Sequence, residues 1–291
     1  MGWTRIAGRA GALSGSIAVL ALLAGGASQA QAAECDRDIA GGGPISLWEV
    51  ADADGEFEDA TLYTFVGSDV ERDDAFDDYG EVNIDGSDYQ NPDTADCSFP
   101  SKREALYPAD ELGGLFVRPQ LFVDKKKPWG RHYVSLRNPT NAPITVDFEW
   151  DGDLGSDSGA ANARTSSGDA IVNGADRWAT TCEDGDTDGC ANVADEADRD
   201  PELAHNWEGK GRKKHSADTV VDPEDTSGDF DVEFDDVRVG AGKTIAFMQI
   251  VSLTPTIKAA NKIAPKIDRN PAKYGVFRAL SKKERKRLQN W

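Results

Sequence analysis

HYVSLRNPTNAPITVDFEW, residues 132–150, is the stretch whose reading decides the fold. His132, Val134 and Leu136 alternate with Tyr133, Ser135 and Arg137. After a break, Ile144, Val146, Phe148 and Trp150 alternate with Thr145, Asp147 and Glu149. A period of two places one set of side chains on each face of an extended chain, so both halves read as half-buried strands. Between them, Asn138-Pro139-Thr140-Asn141-Ala142-Pro143 is turn chemistry. The expectation is an antiparallel hairpin.

The same period continues outward on both sides. Strands are expected at Ile45–Val50, Thr61–Val66, Gly80–Asp85 and Gly114–Val123, where Pro119 suggests an edge or a bulge. Further strands are expected near Asp169–Val172, Arg177–Thr181, Asp229–Val239 and Thr244–Leu253. Ala241-Gly242-Lys243 marks the turn into the last of these, which is apolar enough to be central. Gly155–Gly168 and Gly209–Ser227 read as polar loops. Helical signals are confined to the end. Ile257–Ile267 has helical spacing interrupted by Pro265, and Ser281-Lys282-Lys283-Glu284 is a capping box opening a short basic helix. Strands throughout with helices only at the C-terminus mean an all-β protein. The strand count predicts a large two-sheet antiparallel β-sandwich, supersandwich-like, with a short C-terminal helical tail.

The first 33 residues stand apart. Arg5 and Arg9 precede a short apolar run from Ala12 to Gly26, and Ala30-Gln31-Ala32 fits the small-x-small cleavage rule. This predicts a signal peptide cleaved near Ala32 and Ala33, and a secreted protein. The organisation expected is therefore a signal peptide at 1–33, a β-sandwich at 34–255 and a basic helical tail at 256–291. The four cysteines, Cys35, Cys97, Cys182 and Cys190, all follow the signal. An even number outside the cell implies two disulfides. Local closure favours Cys182–Cys190, which leaves Cys35–Cys97.

Charge is sharply divided. The chain carries −20; residues 1–33 hold +2, and residues 258–291 hold eleven Lys/Arg against Asp268 and Glu284, so residues 34–257 carry −31. Such a body repels nucleic acid and anionic lipid. The basic tail is expected to dock on its own acidic body, anchored by Phe277, Leu280, Leu288 and Trp291.

One run of residues has a family resemblance. Leu112-Gly-Gly-Leu-Phe-Val-Arg118, Arg131-His-Tyr-Val-Ser-Leu-Arg-Asn-Pro-Thr140, Ile144-Thr-Val146 and Gly152-Asp-Leu-Gly-Ser-Asp157 begin it. Thr165-Ser-Ser-Gly-Asp169, Asp176-Arg-Trp178 and Asp200-Pro-Glu-Leu-Ala-His-Asn-Trp207 complete it. This order resembles a β-sandwich module of secreted and surface proteins of actinobacteria and related bacteria. The Asn-Pro-Thr segment also resembles supersandwich domains that accompany carbohydrate-active enzymes. The resemblance implies fold and secretion and assigns no catalytic residue.

CEDGDTDGC, residues 182–190, is the most specific local motif. Asp184, Asp186 and Asp188 take positions 1, 3 and 5 of a calcium loop, with Gly189 at the sharp turn. The Cys190 carbonyl, Asn192 and Asp195 fall at positions 7, 9 and 12. Calcium needs about six to eight hard oxygens, and alternate residues of a curling loop supply them. The alternative is a stapled acidic turn. Trp150, Trp178 and Trp207, with His205, are candidates for a sugar-stacking platform, against the plainer reading of strand tryptophans as core. His132 reads as a partly buried structural histidine. Ser166 and Ser167 lie in turn chemistry. No residue is assigned as catalytic.

The expected function is a secreted, non-catalytic β-sandwich that is structural or binds an extracellular ligand such as a cell-wall glycan, with calcium as a stabilising ion. The alternative is a polysaccharide lyase or glycosidase with an acidic cleft.

Overall fold

The computed structural model describes residues 35–291, apart from 36, 42–45, 51–53, 64–70, 73, 93–96, 156–158, 184–189, 191–199, 212 and 222–227. The first six strands belong to one sheet, sheet A: β1 (Ile39–Ala40), β2 (Ser46–Val50), β3 (Phe57–Tyr63), β4 (Glu71–Arg72), β5 (Asp78–Ile84) and β6 (Ser87–Asp88). The next five build sheet B: β7 (Ser98–Ser101), β8 (Glu104–Leu106), β9 (Asp110–Leu112), β10 (Leu115–Val123) and β11 (Trp129–Arg137). The chain then crosses repeatedly. β12 (Ile144–Asp153) returns to sheet A, and β13 (Ala160–Thr165), β14 (Trp178–Glu183) and β15 (Glu202–Asn206) join sheet B. β16 (Thr219–Val220) and β17 (Val232–Val239) close sheet A, and β18 (Thr244–Thr254) enters sheet B. Sheet A runs β1-β2-β3-β5-β12-β17-β16, and sheet B runs β13-β14-β15-β18-β11-β10-β8-β7. The fold is an antiparallel all-β sandwich.

The decisive stretch forms two strands, but they are not a hairpin. β11 pairs with β10 and β18, whereas β12 pairs with β5 and β17. The connection is an arch from one sheet to the other. Asn138 holds it: fully buried, its Nδ2 donates to the carbonyls of Ala142 and Val239, and its Oδ1 accepts from the Thr140 amide and hydroxyl. Periodicity is the same for a hairpin and an arch. In the arch the apolar faces of the two strands meet across the core instead of lying side by side.

Four other expectations are corrected. β10 is interior rather than an edge, because β11 flanks it on one side and β8 and β9 on the other. Its second neighbour is interrupted opposite Pro119, which falls between the residues paired with β9 and those paired with β8. Residues near Asp169 form no strand: the Asp169 carboxylate accepts from the hydroxyls of Thr165 and Ser167, which curls the chain. The Gly155–Gly168 loop contains β13. Pro265 does not break its helix, because α1 (Ile257–Arg269) continues through it; Thr256 caps the start by accepting from the Ala259 amide.

Apolar residues of both inner faces make the core, among them Trp48, Phe57, Val134, Leu136, Phe148, Trp150, Phe234, Phe247 and Val251, all at most 1% exposed. A second layer covers the outer face of sheet B. There α1, α2 (Pro271–Tyr274) and α3 (Lys282–Arg287) lie over Phe122, Trp129, Tyr133, Met248, Ile250, Trp178 and Ala204. The tail does dock on the body, but apolar contact and hydrogen bonds hold it more than charge does. Leu280 and Leu288 are buried, and Phe277 and Trp291 are half-buried. Among the described residues its ion pairs are Arg278 with Asp124 and Asp268 with Arg177, while most tail lysines face solvent. The capping box is present: the Ser281 amide donates to Glu284, and the Glu284 amide to Ser281 Oγ.

The end of the tail also closes a sheet edge. β15 pairs only with the C-terminal half of β18, from Ile250 on. Along the rest, Leu288 bridges Ala246 in parallel. Asn290 Oδ1 accepts from the Met248 amide, and its Nδ2 donates to the Met248 and Trp207 carbonyls.

Candidate functional site

The sequence-marked aromatic and histidine side chains lie inside the molecule. Trp150 packs on Phe148 at 4.9 Å between ring centroids, and near Phe234 at 5.9 Å. Trp207 lies near Phe230 at 5.7 Å, and its Nε1 donates to the Asp176 carbonyl. Trp178 is under α1, against Ala204, Ala260 and Ala264. The three stand in separate places and none is more than 4% exposed, so the expected sugar-stacking platform is corrected to core packing. His205 is held at both ring nitrogens, by Tyr79 of β5 and Thr181 of β14, each at 2.9 Å.

His132 does share a face with Val134 and Leu136, and it is 1% exposed. Gly80 of β5 sits directly above it. A Cβ there would fall 2.5 Å from His132 Nδ1 and 2.7 Å from Gln249 Nε2, so the sheets approach at a point that only glycine permits. Burial pushes both His132 and His205 down to about 3, which keeps the imidazoles neutral at physiological pH. Ser166 and Ser167 are turn residues: Asp176 accepts from the Ser166 hydroxyl and the Ser167 amide.

Both disulfides form as expected, Cys35–Cys97 and Cys182–Cys190. Of the calcium ligand set, Asp184, Asp186, Asp188, Asn192 and Asp195 lie outside the described residues; Cys190 is described.

The acidic charge gathers on the outer face of sheet A. Asp151 faces Glu81 across β12 and β5, and Glu149 faces Glu233 across β12 and β17. Like charges directly opposite are destabilising, and two further carboxyl contacts, Glu56 with Asp78 and Asp231 with Asp151, relieve the repulsion by holding a proton. Glu56 hydrogen-bonds Asp78 and is pushed up to about 9, first by burial and then by the Asp78 charge. Asp231 hydrogen-bonds Asp151 and is raised to about 8, again mainly by burial. Glu81 rises to about 7 through burial, with Asp88 and Asp54 adding to it. Among the described residues, no three acids close around a point able to hold a metal ion.

The outer face of sheet B is the opposite in charge. The tail leaves one part of it open. There a groove of about 380 Å³ is floored by Phe116, Arg118, Ser135, Arg137 and Thr244 and walled by Arg287 of α3. The register explains the convergence: Phe116 pairs with Arg137, Arg118 with Ser135, and Thr244 with Arg137, so all these side chains leave the same side of three adjacent strands. Arg118 is braced by its Nε donating to the Tyr107 carbonyl at 2.7 Å, and the Arg137 guanidinium lies 5.7 Å from the Phe116 ring centre. Sequence reading missed this site. The signal was the parity of β10 and β11, which turns Arg118 and Arg137 outward once Val117 and Leu136 are placed inside.

No family model matches the chain, and no curated protein does. Among solved structures it is similar to a polysaccharide lyase, at 11% identity and TM-score 0.41, over 70% of this chain; it spans only 31% of the lyase's length. A galactose mutarotase-like protein from Lactobacillus casei ATCC 334 aligns at 10% identity and TM-score 0.43, over 75% of this chain and 100% of that one. A galactose mutarotase related enzyme from Lactobacillus acidophilus aligns at 9% identity and TM-score 0.37, over 76% of this chain and 98% of that one.

Proposed function

We propose that the chain is an exported protein that works by binding an extracellular ligand rather than by turnover. The observation that carries this reading is the placement of its chemistry. His132 and His205, two of the three histidines, are sealed between the sheets. The carboxyls raised toward neutrality, Glu81 of β5 and Asp231 just before β17, lie at sheet A, away from the open groove on sheet B. The groups that reach solvent on the open part of sheet B are guanidinium and hydroxyl donors, which hold a ligand without exchanging protons. Two disulfides fit an oxidising compartment, and the signal-like segment at 1–33 supplies the route. No helix among the described residues is long and apolar enough to cross a membrane.

Glycan-array binding run beside a polysaccharide turnover screen tests the reading. Binding without turnover is expected. Turnover abolished by a single carboxylate substitution such as Asp231→Asn would replace it with the lyase or glycosidase alternative. Intact mass with alkylation checks export separately, with a mature N-terminus near Ala33 and no free thiol. The calcium loop is a further proposal, resting on the Asp184–Asp195 spacing. Calcium is expected to raise the melting temperature more than magnesium at constant ionic strength, and Asp186→Ala to erase the difference. Equal shifts reduce the loop to a stapled turn.

A further inference from the structure

We infer that the groove on the outer face of sheet B is an oxyanion site that takes the acidic group of a glycan, a carboxylate or a sulfate ester on a sugar ring. This rests on the binding reading above and names the surface that performs it.

Three guanidinium groups, those of Arg118, Arg137 and Arg287, line one groove of about 380 Å³. None of the three is in an ion pair among the described residues, although the chain has far more acids than bases. Gathering like charges without a counterion is unfavourable, and a bound anion removes that cost. Guanidinium forks match the two oxygens of a carboxylate or sulfate through paired N–H donors. The fixed partners of Arg118 and Arg137 restrain their orientation, so less side-chain freedom is lost on binding. Ser135 and Thr244 add hydroxyls on the floor, suited to ring hydroxyls of a sugar, and half-exposed Phe116 offers an aromatic surface for its C–H face. Glu111, opposite Phe116 in register, is not part of the lining.

The charge around the groove favours a sparse anion over a dense one. Lys282, Lys283, Arg285 and Lys286 of the neighbouring tail are solvent-facing and attract anions locally. The remainder of the body is strongly negative, so a long polyphosphate backbone would meet repulsion beyond the groove. A polymer bearing one acidic group per sugar is repelled less and fits a site of this size.

The test uses the full mature protein in isothermal titration with three probes: a galacturonic acid oligomer, a sulfated galactan oligosaccharide that contains no uronic acid and a neutral oligosaccharide of matched length. Binding to an acidic probe but not the neutral one is expected, weakening as salt is raised. The uronate and sulfated arms distinguish carboxylate from sulfate as the recognised group. Arg118→Ala and Arg137→Ala, both on exposed side chains, are each expected to weaken binding by about tenfold with little change in melting temperature. Arg137→Lys should recover only part, because an ammonium cannot form the paired fork. Acidic-probe affinity unchanged in Arg118→Ala/Arg137→Ala overturns the site, as does preference for a single-stranded oligonucleotide over every glycan. Neutral-glycan binding unaffected by these substitutions sinks the groove while leaving the binding function standing; cleavage of any probe sinks the binding function itself.

Discussion

Tyr79 and His205 join the two sheets across the core through a 2.9 Å contact between the phenol oxygen and Nδ1. Tyr79 belongs to β5 and His205 to β15, and the far side of the imidazole is held by Thr181. A neutral imidazole has one donor and one acceptor nitrogen, so these two hydroxyls must take opposite roles. Removing the phenol oxygen leaves one ring nitrogen buried and unmatched. Tyr79→Phe is expected to lower stability by about 1–3 kcal/mol, read from the shift in urea midpoint at constant slope. A shift indistinguishable from zero would mean that the contact contributes nothing.

Stability should peak in mildly acidic solution. An unfolded glutamate titrates near 4.5, whereas folded Glu56 keeps its proton to about 9, with Asp231 and Glu81 raised in the same direction. Between those limits the folded state binds more protons, so rising pH destabilises it. The histidines act at the other end. Unfolded, they charge below about 6.5; folded, His132 and His205 stay neutral until about 3, so stability also falls as pH drops through that window. Between about 4.5 and 6.5 the three raised carboxyls outweigh the two imidazoles, so calorimetry from pH 3 to pH 9 should show a maximum at about pH 4.5. Glu56→Gln should flatten the alkaline side. A melting temperature that climbs steadily to pH 9 would contradict the shared-proton picture of sheet A.

Gly80→Ala tests the close approach of the sheets. The added methyl would lie 2.5 Å from His132 Nδ1, on a backbone with φ of 91°. Strain and overpacking act together, and a loss of about 2–4 kcal/mol is expected. Pairing it with His132→Ala should recover part of that loss in a double-mutant cycle; independent effects would place the strain elsewhere.

Asn290 should matter more than its place next to the last residue suggests. Its amide satisfies both backbone groups of Met248 on the strand edge that β15 leaves open. Asn290→Ala is expected to cost about 2 kcal/mol. Removing residues 288–291 should expose that edge and give concentration-dependent association by light scattering, since unpaired strand edges recruit one another. A truncated chain that stays monomeric would show the edge to be protected by other means.

How much of this was legible in the sequence depends on the range of the signal. The inner face of β11 could be read from His132, Val134 and Leu136, because alternation is local. The partner sheet of β12 could not, because Ile144 to Trp150 alternate identically whether the strand turns back or crosses the core. The arch is decided by Asn138, whose amide reaches Val239 far along the chain. β13 was hidden in a glycine- and serine-bounded stretch of small residues, Ala160 to Thr165, whose burial comes from its neighbours rather than its own hydrophobicity. The tryptophans were identifiable as aromatic anchors, but burial sets whether they face a sugar or the core. Arg118, Arg137 and Arg287 converge only after two strands are registered and a helix is docked.

The repeated crossing between sheets has a consequence for timing. β18 is the central member of sheet B, flanked by β15 on one side and β11 on the other. Without it the sheet is two unconnected ribbons, β13–β15 and β11–β7, and β18 begins only at Thr244. A nascent chain therefore carries most of its strands before either ribbon gains its missing neighbour. Pairings between distant segments form slowly, because the intervening chain must first be closed into large loops. Sheet B is therefore expected to close late, only when the segment from Thr244 on can slot between two ribbons that precede it.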